Sequence, residues 1–232
     1  MINLSAIDGR AQRFRLVPDA RVTRGGKAKL GVAPISAFIE ITEPLVTPVT
    51  KALVADDAAL AAFWGAEKGR FHYDYVTFRC TLIPADGAPF EKAWLEVDLE
   101  PRAEGRGPIA YSMEPDKIVD VKTLSDSVKL GADLKLVSSE AGTTIERKAE
   151  DYVLRAWREQ TAQPYWAFNR TDTVPLTGTF RFHLVTRTPA DIEGSGRLTA
   201  RAVVARRTFW IFESEASAGA PASLTFSLRH SG

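Results

Sequence analysis

The stretch Tyr73-Asp74-Tyr75-Val76-Thr77-Phe78-Arg79-Cys80-Thr81-Leu82-Ile83 alternates apolar and polar residues from Val76 onward. Val76, Phe78, Cys80 and Leu82 share one face, and Thr77, Arg79 and Thr81 share the other. A period of two marks a strand with one face in a core and the other toward solvent. The run Ala93–Leu99 repeats it, with Ala93, Leu95, Val97 and Leu99 inward and Trp94, Glu96 and Asp98 outward. Between the two lies Pro84-Ala85-Asp86-Gly87-Ala88-Pro89. Its Asp-Gly pair is a turn signal, because glycine tolerates a left-handed backbone. The two runs are expected to form a β-hairpin.

The same period extends along the chain. Thr179–Thr186 turns Phe180, Phe182 and Leu184 inward and Arg181 and His183 outward. Gly194-Ser195-Gly196 reads as a turn into Arg197–Phe212, whose Leu198, Ala200, Ala202 and Val204 share a face. A change of face near Arg206-Arg207 suits a bulge. Further strands are expected at Ala37–Thr42, Ile109–Met113, Lys117–Lys122, Ser127–Val137, Tyr165–Asn169 and Ser223–Leu228. With 13 prolines and 16 glycines for corners, they predict an all-β fold. The expected architecture is an antiparallel, jelly-roll-like β-sandwich forming a single domain over residues 1–232.

Asp56-Asp57 ahead of the alanine-rich Ala58–Ala66 predicts one short helix near residues 56–67, acidic groups being favoured at a helix N-terminus. Thr143–Gln160 stays open. Ile145, Ala149, Tyr152, Val153, Ala156 and Trp157 fall at helical spacing behind Thr143-x-x-Glu146, a capping-box pattern. Against that, Tyr152, Leu154 and Ala156 alternate as in a strand. There is also an internal echo: Thr77-Phe78-Arg79 and Thr179-Phe180-Arg181 each open an expected hairpin and each precede a Pro-Ala-Asp turn. Duplication and convergence both account for it.

Lys and Arg total 30 against 29 Asp and Glu, a net charge of +1, so no global field draws the chain to nucleic acid. With one cysteine, Cys80, neither an intrachain disulfide nor a cysteine-rich zinc site can form. No signal-peptide pattern opens the chain, and no apolar run reaches the roughly 20 residues of a membrane-spanning helix. The cytoplasm is the expected location. Residues 1–30 are basic (Arg10, Arg13, Arg15, Arg21, Arg24, Lys27 and Lys29 against Asp8 and Asp19) and form an arm or extension, either solvated or docked on an acidic partner. From Asp86 to Asp116 acidic residues outnumber Lys92, Arg102 and Arg106. Opposite patches of this kind either steer self-association or neutralise each other within the fold.

Catalytic equipment is sparse. Phosphate loop, dinucleotide fingerprint, zinc-protease and serine-hydrolase motifs are all absent from the sequence. His72, His183 and His230 are too dispersed for a metal triad, and Cys80 is in phase with the buried face of its strand. No cofactor or metal is expected.

One run carries chemical content: Trp94-Leu95-Glu96-Val97-Asp98-Leu99-Glu100. On a strand, Glu96, Asp98 and Glu100 project from one face beside Trp94, the group types that glycoside hydrolysis uses. The run resembles the Glu-x-Asp-x-Glu signature of laminarinase-type retaining β-glycanases, which are jelly-roll sandwiches. That resemblance implies Glu96 as nucleophile, Glu100 as general acid and Asp98 as assisting carboxylate. At about 3.3 Å per residue the Glu96 and Glu100 backbones lie about 13 Å apart, so their side chains must lean together to reach the roughly 5–5.5 Å of a retaining pair.

The aromatic-basic runs Arg206-Arg207-Thr208-Phe209-Trp210-Ile211-Phe212 and Tyr165-Trp166-Ala167-Phe168 read as strands buried twice or placed at an interface. Trp166, Phe168, Arg206, Arg207, Trp210 and Trp94 are therefore the candidate interface residues. Balanced charge argues against nucleic acid stacking there. The leading expectation is a soluble, non-enzymatic binding or scaffolding module that engages a protein partner or itself as a homo-oligomer. A glycan-binding or β-glycanase-like protein is second. Third is a pore or membrane-surface protein in which the segment Ser127–Gln160 rearranges.

Overall fold

The structure is a computed structural model that describes residues 9–15, 37–85, 89–102, 106–119, 152–204, 207–208, 212–213 and 222–228. In chain order its elements are β1 (Ala11–Arg15), β2 (Phe38–Thr42), β3 (Leu45–Pro48), α1 (Lys51–Val54), α2 (Ala58–Glu67), β4 (Phe71–Ile83), β5 (Phe90–Glu100), β6 (Ile109–Glu114), β7 (Lys117–Val119), β8 (Tyr152–Trp157), β9 (Tyr165–Asn169), β10 (Gly178–Pro189), β11 (Gly194–Val204), β12 (Arg207–Thr208), β13 (Phe212–Glu213) and β14 (Ala222–Leu228). The first sheet runs β1-β2-β4-β10-β6, with β3 also on β4. The second runs β14-β11-β5-β9-β8-β7, and β12 pairs with β13. All strand pairs are antiparallel. The molecule is the expected all-β sandwich.

The alternating residues meet between the sheets. Val76, Phe78, Cys80 and Leu82 of β4 and Phe180, Phe182 and Leu184 of β10 are buried against Ala93, Leu95, Val97 and Leu99 of β5 and Leu198, Ala200, Ala202 and Val204 of β11. Aromatic rings bridge the two layers: Trp166 lies 4.8 Å from Phe182 and 5.8 Å from Phe78, and Phe168 lies 5.1 Å from Phe180. Apolar burial of this kind is the main favourable term in folding. Cys80 belongs to this layer, 2% exposed, and burial pushes its thiol up to about 12.

Several sequence expectations are corrected. The runs 73–83 and 93–99 are strands, but they do not pair as a hairpin. β4 lies in the first sheet and β5 in the second, so the chain crosses the core between them. β10 and β11 do the same. The two copies of the echo instead pair with each other, Phe78 opposite Phe182 and Cys80 opposite Phe180, while β5 pairs with β11. Gly194 and Gly196 do not make a turn; they open β11 and face β14. A Cβ on Gly194 would meet Leu228 Cδ1 at 2.8 Å, and one on Gly196 would enter the Phe226 ring. These glycines serve close approach. The turn lies upstream, at Ala190 and Asp191.

The predicted helix is α2, with Asp57 as N-cap, its carboxylate accepting from the Leu60 N–H at 3.0 Å. Gly69 follows its end with φ +85°. A second helix, the four-residue α1, was not expected. Phe63 of α2 packs edge-on against Tyr73 at 5.6 Å, and the Trp64 indole donates to the Val49 carbonyl at 3.2 Å. Part of the basic N-terminal arm is a strand: β1 pairs with β2, and Arg13 binds Glu40 at 3.0 Å. The open segment resolves in part, since Tyr152–Trp157 is β8. The expected strand Ser127–Val137 and residues 143–151 lie outside the described residues. A register shift falls at Val203/Val204, ahead of the expected bulge.

Candidate functional site

Antiparallel register brings together, on the outer face of the second sheet, residues far apart in sequence. Trp94 of β5 stands between Arg201 of β11 and Ala167 of β9; Ala167 in turn faces Arg155 of β8, which faces Lys117 of β7. One step along, Glu96 faces Tyr165, and Tyr165 faces Trp157. Alternation explains the arrangement: every second residue of these strands points away from the core. Trp94, Trp157 and Tyr165 are half-buried, while Arg155 and Arg201 are exposed.

The aromatics and guanidinium groups are organised. Trp157 and Tyr165 stack with centroids 6.4 Å apart and ring planes 15° from parallel. Arg155 Cζ lies 4.4 Å from the Trp157 centroid, and Arg158 Cζ lies 5.7 Å from that of Tyr165. A guanidinium over an aromatic face is attracted by the ring quadrupole while its N–H donors stay available to an anion. The turn that carries Arg158 is strained. Arg158 has φ 59° and Gln160 φ 63°, left-handed conformations that side-chain-bearing residues avoid. It is held by Thr161 Oγ1 donating to the Arg158 carbonyl at 2.7 Å and by the Gln160 N–H donating to the Ala110 carbonyl at 2.7 Å. Backbone strain persists where surrounding bonds over-determine it, and it concentrates at functional places.

The residues singled out from sequence divide sharply. Trp94 belongs to the platform. Glu96 and Asp98 lie on the same face, but Glu96 is ion-paired with Arg201 and Asp98 with Arg102. Glu100 sits at the exposed end of β5. Along one extended strand Glu96 and Glu100 are about 13 Å apart at the backbone. The arrangement therefore neutralises acidic groups on an outer face. Trp166 and Phe168 are 0% and 1% exposed, and the Trp166 indole donates to the Pro115 carbonyl at 3.1 Å. They are core residues and present no interface. Arg206 and Trp210 lie outside the described residues, and of Arg207 only its place in β12 is described. Among the described residues no group of three or more His, Cys, Asp or Glu side chains is placed to hold a metal ion.

Arg155, Trp157, Arg158 and Tyr165 were missed as a site. Each is outward in a readable strand or turn, but their meeting depends on the β8–β9 register. Also missed was a groove of about 620 Å³ between β3 and β14, lined by Glu43, Leu45, Val46 and Ser223–Ser227.

No family model matches the sequence, and no curated protein matches it. Among solved structures, the Clostridium perfringens NetB toxin in its membrane-inserted form is similar at a TM-score of 0.37 and 6% identity, over 94% of this chain and 95% of that one. A pore-forming protein is similar at 0.35 and 7% identity, over 84% of this chain and 93% of that one. TM-scores and identities this low assign no activity. The expectation of a non-enzymatic scaffolding module is corrected. Two of its described anchors, Trp166 and Phe168, are sealed between the sheets and reach no partner.

Proposed function

We propose that the chain is a membrane-active protein of the β-pore-forming kind. In this reading the sandwich docks on a bilayer and residues 120–151 enter a barrel built by several copies. One observation carries the reading: β7 and β8 are hydrogen-bonded neighbours at the edge of the second sheet, Val119 standing opposite Tyr152. The two residues that flank 120–151 in sequence are thus neighbours in the body, the placement that a membrane-inserting hairpin requires of its ends.

The sequence of that insertion supports the same reading. Val128, Leu130, Ala132, Leu134 and Leu136 alternate with Lys129, Gly131, Asp133 and Lys135. Strands of a membrane barrel need this dyad pattern, apolar toward lipid and polar toward the lumen. A crossing takes about 9–11 residues per strand, so the insertion accommodates two strands and a turn. Among the described residues no helix is long and apolar enough to cross a membrane, a statement that leaves strands untouched. Trp94, Trp157 and Tyr165 with Arg155 and Arg158 supply a docking face, because Trp and Tyr favour the headgroup level and arginine pairs with phosphate.

Dye release from phosphatidylcholine vesicles, with and without anionic lipid, tests the proposal. Release is expected, together with a detergent-resistant oligomer. Leu130→Asp with Leu134→Asp should abolish release while leaving thermal unfolding of the body unchanged, and Lys129→Gln should preserve it. Absence of release from every vesicle, or release indifferent to the double substitution, overturns the reading.

A further inference from the structure

We propose that the edge of β14 turned away from β11, which no other described strand pairs, is a self-association site, where a second copy of this chain pairs its own β14 antiparallel about a twofold axis at Thr225. The inference concerns the sandwich body and stands independently of membrane activity.

An unpaired edge strand presents a row of backbone donors and acceptors, and natural proteins protect such edges with charge, proline, bulges or shortness. The other described outer strands carry these protections. β1 has Arg13 and Arg15, β3 is four residues ending in Pro48, β6 ends in Glu114, and β7 is three residues beginning at Lys117. β14 has none of them. Its sequence Ala222-Ser223-Leu224-Thr225-Phe226-Ser227-Leu228 holds no charge and no proline. Its register with β11 runs without a shift from Ala222 to Leu228, so no bulge bends it. Among the described residues, only β11 pairs with it.

The strand is also self-complementary. A twofold axis at Thr225 sets Thr225 against Thr225, Ser223 against Ser227, and Leu224 against Phe226. Ser223, Thr225 and Ser227 are exposed on the outer face, and Leu224 and Phe226 are buried on the inner one. Hydroxyl therefore meets hydroxyl across the seam and apolar meets apolar, the pairings that stabilise neighbouring strands. The strand holds no charge, so nothing along this seam opposes pairing with its own copy. The groove of about 620 Å³ beside Ser223–Ser227 leaves the edge approachable. An isologous contact of this kind closes on itself as a dimer, joining two six-stranded sheets into one.

Single-cysteine cross-linking of the purified full chain tests both contact and register, since Cys80 is buried and silent. Thr225→Cys should form a disulfide-linked dimer on mild oxidation. Ser223→Cys alone should not, because about four residues of strand would separate the two thiols. Mixed with Ser227→Cys, it should cross-link. Sedimentation velocity across a concentration series should show a dimer that Thr225→Lys converts to monomer with its circular dichroism unchanged. A chain that stays monomeric throughout, Ser223→Cys linking to itself as fast as Thr225→Cys, or a dimer indifferent to Thr225→Lys overturns the proposal. A monomer that instead takes up an extended peptide from another protein at β14 overturns it too, by assigning the edge a different partner.

Discussion

Gly196 shows how one missing side chain fixes a strand-to-strand contact. It lies opposite Phe226 in the β11–β14 register, and the ring occupies the space a Cβ would need. Gly196→Ala should destabilise the fold by about 1–3 kcal/mol through overpacking, seen as a lower midpoint in denaturant unfolding. Adding Phe226→Leu should recover part of the loss, because the two sites share one contact. His183 makes a second residue-level case. Its Nδ1 is 2.6 Å from Tyr75 Oη, and burial, with the nearby Arg181 charge, lowers the imidazole to about 4 from 6.5. The unfolded chain therefore binds more protons than the folded one between those values. The stability this group contributes is present above pH 6.5 and is lost as pH falls toward about 4. Burial and the Asp116 charge raise Glu114 and Glu159, and these carboxyls act in the opposite sense, weakening the fold as pH rises through their values. His183→Asn removes only the histidine part. The stability difference between variant and wild type should shift by up to about 2–3 kcal/mol across that window, read from urea titrations at stepped pH.

At the level of elements, alternation identified the faces and left the partners undetermined. Val76, Phe78, Cys80 and Leu82 were readable as a buried face because period two is a local property. Whether β4 then turns back on itself or crosses to the other sheet is not local, and an Asp-Gly signal serves either corner. The glycines at 194 and 196 misled for a related reason: glycine marks turns and close approaches alike. Trp166 and Phe168 share a face, and only the opposing sheet reveals that Phe78, Phe180 and Phe182 cover it. The α2 helix was legible because Asp57 caps it through its own side chain. The α1 helix has four residues and no side-chain cap bond, so nothing in its sequence announces it.

For the molecule as a whole, the outer face of the second sheet is a composite of strands β5, β8, β9 and β11, which is why the run Trp94–Glu100 is legible in the sequence while the meeting of Arg155, Trp157 and Tyr165 is not. If this face meets a bilayer, Trp94→Ala with Trp157→Ala should reduce vesicle association at least several-fold in a flotation assay while leaving the unfolding midpoint nearly unchanged, since neither ring lies in the inter-sheet core. Equal flotation of variant and wild type would remove the face from that role. The crossing of both central units between sheets has a further consequence, for the order of events at the ribosome. Tyr75 and His183 lie 108 residues apart in the chain, and β4 and β5 find their long partners only in β10 and β11. Non-local pairing of this kind closes late and slowly. Residues 120–151 therefore emerge during synthesis before the strands that complete the body, and a nascent chain halted ahead of β10 would carry β4 and β5 with their central partners still unmade.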